Sequence, residues 1–319
     1  PVARGPEKPG LVAAMAEGPA MVRIRPYDHT TDYERVYRVL VEIYVPGDTL
    51  ANWLAPRWEY MHFHPFILGL PLDTIGVAEA AGEIVGVAHF EDSPEILYFQ
   101  IRPGWDAIGA QLLEYAEQTC AGWSRSLKRN VIGVYIDETR PELAALAADR
   151  GYKIHPDFGG PHARLDLRNP IPAASLPSGY RLQSLAEDND LDKVGRVLWR
   201  GFNHQGPRPI HDTEGRRMAQ SAPHFRKDLT IVAVAPSGEF VSFGGMWVVP
   251  ENQVAYVEPV ATDPDYRRMG LGRAVVEESL RRAAAAGAVV AWVGSGQEFY
   301  AALGFTVAFR TDLWIRYLD

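Results

Sequence analysis

The sequence predicts a mixed α/β fold, an α+β mixed sheet in each of two tandem domains with helices on both faces. Three observations support this prediction. The chain of 319 residues is about twice the size of a common domain. Its halves contain matching segments in the same order, and each alternates apolar strand-like runs with helical periodicity. We therefore divide the chain into a flexible tail at 1–20, a first domain at 21–168, a linker at 169–179 and a second domain at 180–319.

The internal repeat pairs four sets of segments. Each copy begins with a short strand and a helix, continues with a glycine turn before an apolar strand, and later carries a helix and a glycine–aromatic pair. The paired segments are Val22–Ile24 with Tyr180–Leu182, Gly82–Val85 with Gly238–Val241, Gly109–Glu114 with Gly272–Glu277, and Gly151–Tyr152 with Gly304–Phe305. Between the copies, 169–179 holds three prolines and several small residues, a composition typical of linkers.

In the second domain, strands and helices follow one another in mixed order. Apolar residues recur at a helical period over 190–202, and Asp188 to Asp190 supply capping side chains. The runs at 229–235 and 240–249 flank a Pro-Ser-Gly turn and predict a β-hairpin. The remaining predicted elements are a strand at 253–262, a helix at 271–286, a strand at 289–293, a short helix at 299–303 and strands between 305 and 317.

Composition and charge restrict the class of protein. Apolar residues make up 47% of the chain and charged residues 23%, which is typical of a soluble globular protein. The net charge of −8 argues against a nucleic-acid partner, because such proteins present a basic surface to phosphates. The longest apolar stretch, 283–294, is shorter than the roughly 20 residues of a membrane span, so we expect no membrane partner and a cytoplasmic location. We also expect a monomer or homodimer, and a structural role for the single cysteine, Cys120.

The segment between the strand at 253–262 and the helix at 271–286 predicts a phosphate-binding loop. It reads Arg267-Arg268-Met269-Gly270-Leu271-Gly272-Arg273. Glycines let the backbone approach an anion closely, and a helix N-terminus presents unpaired N–H groups to it. The three arginines add positive charge. The segment lacks the third glycine of a dinucleotide-binding fingerprint and the Gly-Lys-Ser/Thr ending of a P-loop, so a different polyanionic coenzyme is indicated.

This loop and the downstream segment Phe299-Tyr300-Ala301-Ala302-Leu303-Gly304-Phe305 together resemble the GNAT superfamily of N-acetyltransferases. That family carries Gln/Arg-x-x-Gly-x-Gly/Ala after a strand and Tyr-x-x-x-Gly-Phe later, and both patterns match here. The resemblance implies acetyl-CoA as co-substrate, with the loop backbone on the pyrophosphate and the end of the preceding strand on the pantetheine arm. The residues that it places on the coenzyme are Val260, Ala261, Thr262, Arg267, Arg268, Met269, Gly270, Leu271, Gly272, Arg273 and Ser295, the last replacing an asparagine of many members.

Two residues are candidates for proton transfer, because acetylation of a protonated amine needs a base for nitrogen and an acid for the departing thiolate. Glu258 lies in a mostly apolar strand, resembles the glutamate that many members use, and would have its pKa raised by burial. Tyr300 resembles the family tyrosine near the coenzyme sulfur. The structural alternatives are a surface glutamate without a role and a half-buried core tyrosine.

The first domain reads as a copy that has lost the residues for the reaction. Its loop from Pro103 to Gly109 is two residues shorter than the second copy and carries Asp106 near the helix start, where an anion would be repelled. Counting back from the prolines, Leu97 occupies the position of the candidate base, and Ala147 occupies that of the tyrosine. We expect this domain to shape the substrate site or to stabilise the pair. The alternative is a second coenzyme site with altered contacts.

Other polar and aromatic clusters have structural explanations. His62-Phe63-His64 is not accompanied by a complementary set of ligands, so we expect no metal. Trp53, Trp58, Tyr60 and Phe63 predict a core, with a substrate or interdomain surface as the alternative.

The leading functional hypothesis is transfer of an acetyl group from acetyl-CoA to a primary amine of a small molecule. The alternatives are a peptide or protein amine acetyltransferase, and an acyl-CoA-binding sensor without turnover.

Overall fold

The computed structural model describes residues 21–45 and 53–318, so the predicted tail at 1–20 lies outside the described residues. Strands and helices alternate through both halves. In chain order the strands are β1 (Arg23–Pro26), β2 (Gly76–Ala80), β3 (Glu83–Phe90), β4 (Ile96–Ile101), β5 (Gly122–Ser124), β6 (Arg129–Asp137), β7 (Lys153–Asp166), β8 (Arg181–Ser184), β9 (Ile231–Val234), β10 (Phe240–Val249), β11 (Val254–Thr262), β12 (Val290–Val293) and β13 (Thr306–Tyr317). The α-helices are α1 (His29–Ile43), α2 (Ala55–Phe63), α3 (Gly109–Thr119), α4 (Pro141–Asp149), α5 (Leu191–Gly201), α6 (Asp212–Ala219), α7 (Leu271–Ala285) and α8 (Glu298–Ala302).

All thirteen of these strands belong to one mixed sheet that runs through both halves. Their order is β1-β2-β3-β4-β6-β13-β7-β12-β11-β10-β9-β8, with β5 paired to β6. The final strand of each half has crossed into the other half. Strand β7 pairs antiparallel with β12, and β13 pairs antiparallel with β6, so that β7 and β13 lie side by side at the centre. The halves therefore share backbone hydrogen bonds as well as side-chain contacts.

The predicted elements of the second half are present. Strand β10 has the predicted bounds, and α7 ends one residue before the predicted end. The Asp190 carboxylate caps α5 by accepting hydrogen bonds from the N–H groups of Asp192 (3.0 Å) and Lys193 (3.1 Å). The stretch from 305 to 317 is one strand, β13, where the sequence predicted several. Pairing with β6 on one side and β7 on the other keeps it extended over its whole length.

Each half contains one pair of parallel neighbours that separates after three residue pairs. Strands β11 and β12 are in register from Val254 opposite Val290 to Tyr256 opposite Trp292. Strands β4 and β6 are in register from Ile96 to Tyr98. The ladder between β11 and β12 ends there, and the residues that follow on the two strands, 257–260 and 293–295, line one cavity.

A continuous apolar core joins the two halves. Trp53 and Trp58 have 1% and 0% of their surfaces exposed and belong to the core as predicted, whereas Tyr60 and Phe63 are partly buried and pack against it. The same cluster includes Trp247 and Trp292 from the second half. Glu59 of α2 is fully buried and accepts hydrogen bonds from the backbone N–H of His224 (2.5 Å) and from its Nδ1 (2.8 Å).

The structure also bears on the single cysteine, on membrane-spanning helices and on metal ligands. Cys120 is buried and donates to the Thr74 carbonyl oxygen (3.4 Å), and burial raises the pKa of its thiol to about 11, so a structural role fits. None of the helices within 21–45 and 53–318 combines the length and apolar character that a membrane crossing requires. In the same described segments, no group of three or more His, Cys, Asp or Glu side chains is arranged to hold a metal ion.

Candidate active site

The predicted phosphate loop forms a concave backbone surface between β11 and α7. A short 3-10 helix, Pro264–Tyr266, follows β11, and then Arg268 and Gly270 both have left-handed φ values of 64° and 81°. Turns that contain left-handed residues can direct successive N–H groups towards one point and so make an anion-binding concavity. The first intrahelical bond of α7 runs from the Ala274 N–H to the Gly270 carbonyl (2.9 Å), so the preceding N–H groups have no intrahelical acceptor.

The residues of this loop fit a pyrophosphate group closely approaching the backbone. A Cβ atom on Gly272 would lie 3.0 Å from Thr262 Oγ1, and Gly270 has a φ that a larger side chain would strain. A cleft of about 490 Å³ opens against the loop and is lined by Val260, Thr262, Arg268, Gly272 and Tyr300 among others. Met269 is not part of this lining, and 37% of its surface is exposed.

The three arginines of the loop have different surroundings. The Arg267 guanidinium donates to the backbone oxygens of Thr262 (3.1 Å) and Gly201 (2.8 Å) and so links α5 to β11. Both acceptors are neutral, so they do not neutralise the positive charge of Arg267. Arg273 forms an ion pair with the buried Glu277 carboxylate (2.7 Å). Arg268 is exposed at the surface of the loop.

The end of β11 presents the candidate base through a local irregularity of the strand. Gly244 is opposite Val260 and Met246 is opposite Val257, so that two residues, Glu258 and Pro259, oppose the single Gly245. Such a β-bulge re-aims a side chain. A Cβ atom on Gly245 would lie 2.3 Å from the Glu258 carbonyl oxygen, so only glycine leaves room for this backbone path.

Glu258 is half-buried at the bottom of a second cavity, of about 480 Å³. Desolvation there raises the pKa of its carboxyl to about 7, and the negative charge of Glu91 adds to the rise, while Arg57 and a hydrogen bond with Tyr256 oppose it. A carboxylate with this pKa is suited to accept a proton near neutral pH.

This second cavity, the acceptor pocket, is built by both halves of the chain. The first half supplies Arg57, Glu91, Tyr98 and Tyr135, and the crossed strand β7 supplies residues 159–162. The second half supplies Glu258 and its neighbours on β11, with Ser295 at the end of β12. Ser295 thus lines the acceptor pocket, where its Oγ accepts from the Gln297 N–H (3.3 Å).

The acceptor pocket meets the cleft of about 490 Å³ at the phosphate loop, which we call the coenzyme cleft, at three residues. Val260, Gln297 and Tyr300 line both cavities. Tyr300 is 8% exposed, and burial together with the charge of Glu258 raises the pKa of its phenol to about 12. The phenol therefore stays protonated at neutral pH and can donate a hydrogen at the junction.

Several pocket residues were missed by the sequence reasoning. Arg57 and Glu91 form an ion pair (2.9 Å) whose side chains are 12% and 24% exposed. Tyr98 and Tyr135 stack with ring centroids 4.7 Å apart. They come from α2, the residue after β3, and strands β4 and β6. These four residues do not belong to one short sequence motif. Glu91 could have been singled out from the sequence, because it is an ionisable residue that directly follows an apolar strand.

The corresponding positions of the first half lack the reactive groups. The parallel ladders make Tyr98 the counterpart of Tyr256, since each is the third residue of its ladder, and Leu97 the counterpart of Ala255. The assignment of Leu97 to the base position is therefore wrong. Pro264 follows Tyr256 by eight residues and Pro103 follows Tyr98 by five, and the bulge accounts for one of the three additional residues that the count from the prolines ignores. Gln100 lies closest to that position, buried and 3.2 Å from His89 Nε2.

The coenzyme cleft also differs between the halves. The cleft of the first half measures about 280 Å³, compared with about 490 Å³ in the second half. Its lining includes the carboxylates of Asp106 and Glu142 and the guanidinium of Arg140, and Asp106 lies nearest in sequence to the start of α3 at Gly109. Ala147 is fully buried in the place of Tyr300. A pyrophosphate would meet negative charge at this helix start.

Comparison with known proteins agrees with this geometry. Residues 193–305 match the sequence model of the Acetyltransferase (GNAT) family. Residues 193–305 therefore form a GNAT-family domain. The matched range contains the phosphate loop, Glu258 and Tyr300, so the family resemblance of the two motifs is confirmed. None of the curated proteins matches the chain by sequence.

Solved structures extend the likeness from the GNAT domain to nearly the whole chain. A GCN5-related N-acetyltransferase from Sphaerobacter thermophilus is 17% identical, with a TM-score of 0.62 over 93% of this chain and 95% of that one. A tandem GNAT protein from the clavulanic acid biosynthesis pathway is 18% identical, with a TM-score of 0.62 over 93% and 98%. A GNAT-family acetyltransferase from Colwellia psychrerythraea is 14% identical, with a TM-score of 0.56 over 93% and 100%. At such identities the likeness establishes the fold, which is the predicted tandem GNAT fold.

Proposed function

We propose that the protein transfers an acetyl group from acetyl-CoA to a primary amine of a small molecule, with the chemistry in the second half. The observation that supports this most is the junction at Val260, Gln297 and Tyr300, where a cleft fit for a pyrophosphate-bearing coenzyme opens into a pocket that holds Glu258. Acetyl-CoA would supply an activated thioester carbonyl at that junction. The first half forms one wall of the acceptor pocket, which supports a substrate-shaping role for it.

The residues of the second half have separate tasks in this proposal. Glu258 accepts a proton from the substrate ammonium, directly or through water, and so provides a neutral nitrogen. As the new N–C bond forms and the C–S bond breaks, Tyr300 donates its phenolic proton to the departing sulfur. The second proton that the nitrogen loses on becoming an amide returns to the Tyr300 phenolate, directly or through water. The backbone of Arg267 to Arg273 holds the pyrophosphate, and Val260 to Thr262 hold the pantetheine arm alongside the unpaired edge of β11.

The remaining parts of the proposal concern the whole chain. We retain 169–179 as the linker between the two domains, and this segment has neither helix nor strand in the structure. We also retain a cytoplasmic monomer or homodimer with neither nucleic acid nor membrane as partner. A concave pocket with side-chain walls from two halves supports a small amine over a protein substrate, since a folded protein could present only a protruding side chain there.

Thiol release from acetyl-CoA, measured with a panel of amines, tests the proposal. We expect the natural chain to release thiol only when an amine is present. Glu258→Gln should lose this release and retain coenzyme binding. Coenzyme binding without release for any amine would instead support the sensor. Release that occurs only with a peptide or protein amine would support the other alternative.

A further inference from the structure

The acceptor pocket has a charge distribution that distinguishes between kinds of amine. Of the described residues that line it, Arg57 carries the only side chain cationic at neutral pH, and its guanidinium is paired with Glu91 at 2.9 Å. His162 also lines the pocket, but burial lowers the pKa of its imidazole to about 3, so it is neutral. Glu258 is then the one lining carboxylate without an ion-pair partner among the residues described. The pocket is therefore negative overall when Glu258 is deprotonated.

Aromatic rings line the same pocket as Glu258. Tyr98 and Tyr135 stack with ring centroids 4.7 Å apart and an angle of 19° between their planes, and the centroid of the Trp53 ring lies 4.3 Å from that of Tyr98. Both tyrosines are half-buried. Burial raises the pKa of each phenol, so both rings are neutral. Phe202, with 49% of its surface exposed, adds a ring at the pocket.

From this arrangement we infer that the acceptor is a compact aromatic amine that carries no carboxylate. The inference rests on the proposed function, whose substrate class it narrows. The ammonium group lies towards Glu258, and the ring packs against Tyr98 and Tyr135. A carboxylate on the substrate would meet the charges of Glu91 and Glu258, while the cation that could bind it, Arg57, is occupied by Glu91. The first half thus sets specificity through Arg57, Glu91 and the two stacked tyrosines.

Three matched amines separate the contributions. Phenethylamine has the ammonium and the ring, cyclohexylethylamine keeps the shape without the aromatic ring, and phenylalanine adds a carboxylate. Their dissociation constants are measured by calorimetry on the full chain with coenzyme A present, which has no acetyl group to transfer. We expect phenethylamine to bind several-fold more tightly than cyclohexylethylamine, and at least about tenfold more tightly than phenylalanine, because like charges in a desolvated site are strongly unfavourable.

Two variants and one control connect these ratios to named residues. Tyr135→Leu should remove the preference for the aromatic ring, whereas Tyr135→Phe keeps the ring and should keep the preference. Glu91→Gln releases Arg57 from its ion pair, so the discrimination against phenylalanine should narrow or reverse. Coenzyme affinity is measured for each variant, since neither position lines the coenzyme cleft and a folded variant should retain it.

The outcomes distinguish the inference from the function on which it rests. Phenylalanine binding as tightly as phenethylamine to the natural chain would overturn the inference, and so would ratios that stay unchanged in both Tyr135→Leu and Glu91→Gln. Selective binding without thiol release from acetyl-CoA would support the pocket assignment and contradict the proposed function. Thiol release with all three amines at similar efficiency would support the proposed function and contradict the inference about the acceptor.

Discussion

Replacing Glu258 with glutamine should remove activity and at the same time stabilise the protein at alkaline pH. The glutamine keeps the shape of the side chain and cannot accept a proton from the substrate. General bases contribute about 100-fold to 10,000-fold to rates, so kcat should fall by at least about 100-fold. In the natural chain, kcat should rise with pH through about 7, the pKa of Glu258, because the deprotonated form is the base.

The stability effect follows from the same pKa. Folding raises the pKa of Glu258 from 4.5 to about 7, so the folded state binds this proton more tightly than the unfolded state. Stability from this residue is greatest at acidic pH and falls as pH rises from 4.5 towards 7. The difference between pKa values of 4.5 and about 7 corresponds to about 3.5 kcal/mol in full, at about 1.4 kcal/mol for each tenfold change in proton affinity. Between about pH 5 and about pH 8.5, we expect Glu258→Gln to gain about 2 to 3 kcal/mol relative to the natural chain.

Urea unfolding of the two proteins at both pH values measures this gain. Altered hydrogen bonds of the glutamine would shift its stability equally at the two pH values, so only the change between them reports the charge. A stability difference between Glu258→Gln and the natural chain that is independent of pH, or a kcat within tenfold of the natural value, would refute the placement of Glu258 as a desolvated base.

Three further substitutions test the surrounding structure. Gly245→Ala places a Cβ atom 2.3 Å from the Glu258 carbonyl oxygen, so kcat should fall while coenzyme affinity is retained; unchanged kcat would show that the bulge does not position Glu258. Tyr300→Phe should lower kcat more than coenzyme affinity, measured by steady-state kinetics and calorimetry, and an unaffected rate would assign Tyr300 to the core. Gly272→Val should weaken coenzyme binding by at least about tenfold, because its side chain fills the space against Thr262 and blocks close backbone approach; normal affinity would contradict the loop assignment.

Local patterns in the sequence were sufficient for the elements of the second half. The hairpin around Gly238 and the helix after Gly270 depend on turn residues and apolar periodicity, which act over a few residues. The phosphate loop and Tyr300 were predicted for a similar reason, since each belongs to a short motif, and the structure brings them together along one cleft. The position of Glu258 was also found, although its bulge was not, because the register of β11 depends on β10.

The pairing of strands that are distant in the chain could not be predicted from the sequence. Nothing within β7 or β13 indicates that each pairs in the opposite half, since strand partners depend on the whole sheet. The same limit applies to Arg57 and Glu91, which are far apart in the chain and become a pocket wall only after folding. The error at Leu97 has a related cause, because residue counting assumes that two repeated strands have equal length.

The exchange of β7 and β13 explains how a half without the reactive residues can take part in the site. Substrate geometry must be held closely, and a displacement of about 1 Å can cost about 100-fold in rate. Two domains joined only by a linker would move relative to each other by more than that. Here β7 runs between β12 and β13, and a Cβ atom on Gly159 would lie 2.3 Å from the Thr311 carbonyl oxygen, so the crossed strand is tightly seated. The pocket wall of the first half is thereby fixed by the same sheet that carries Glu258.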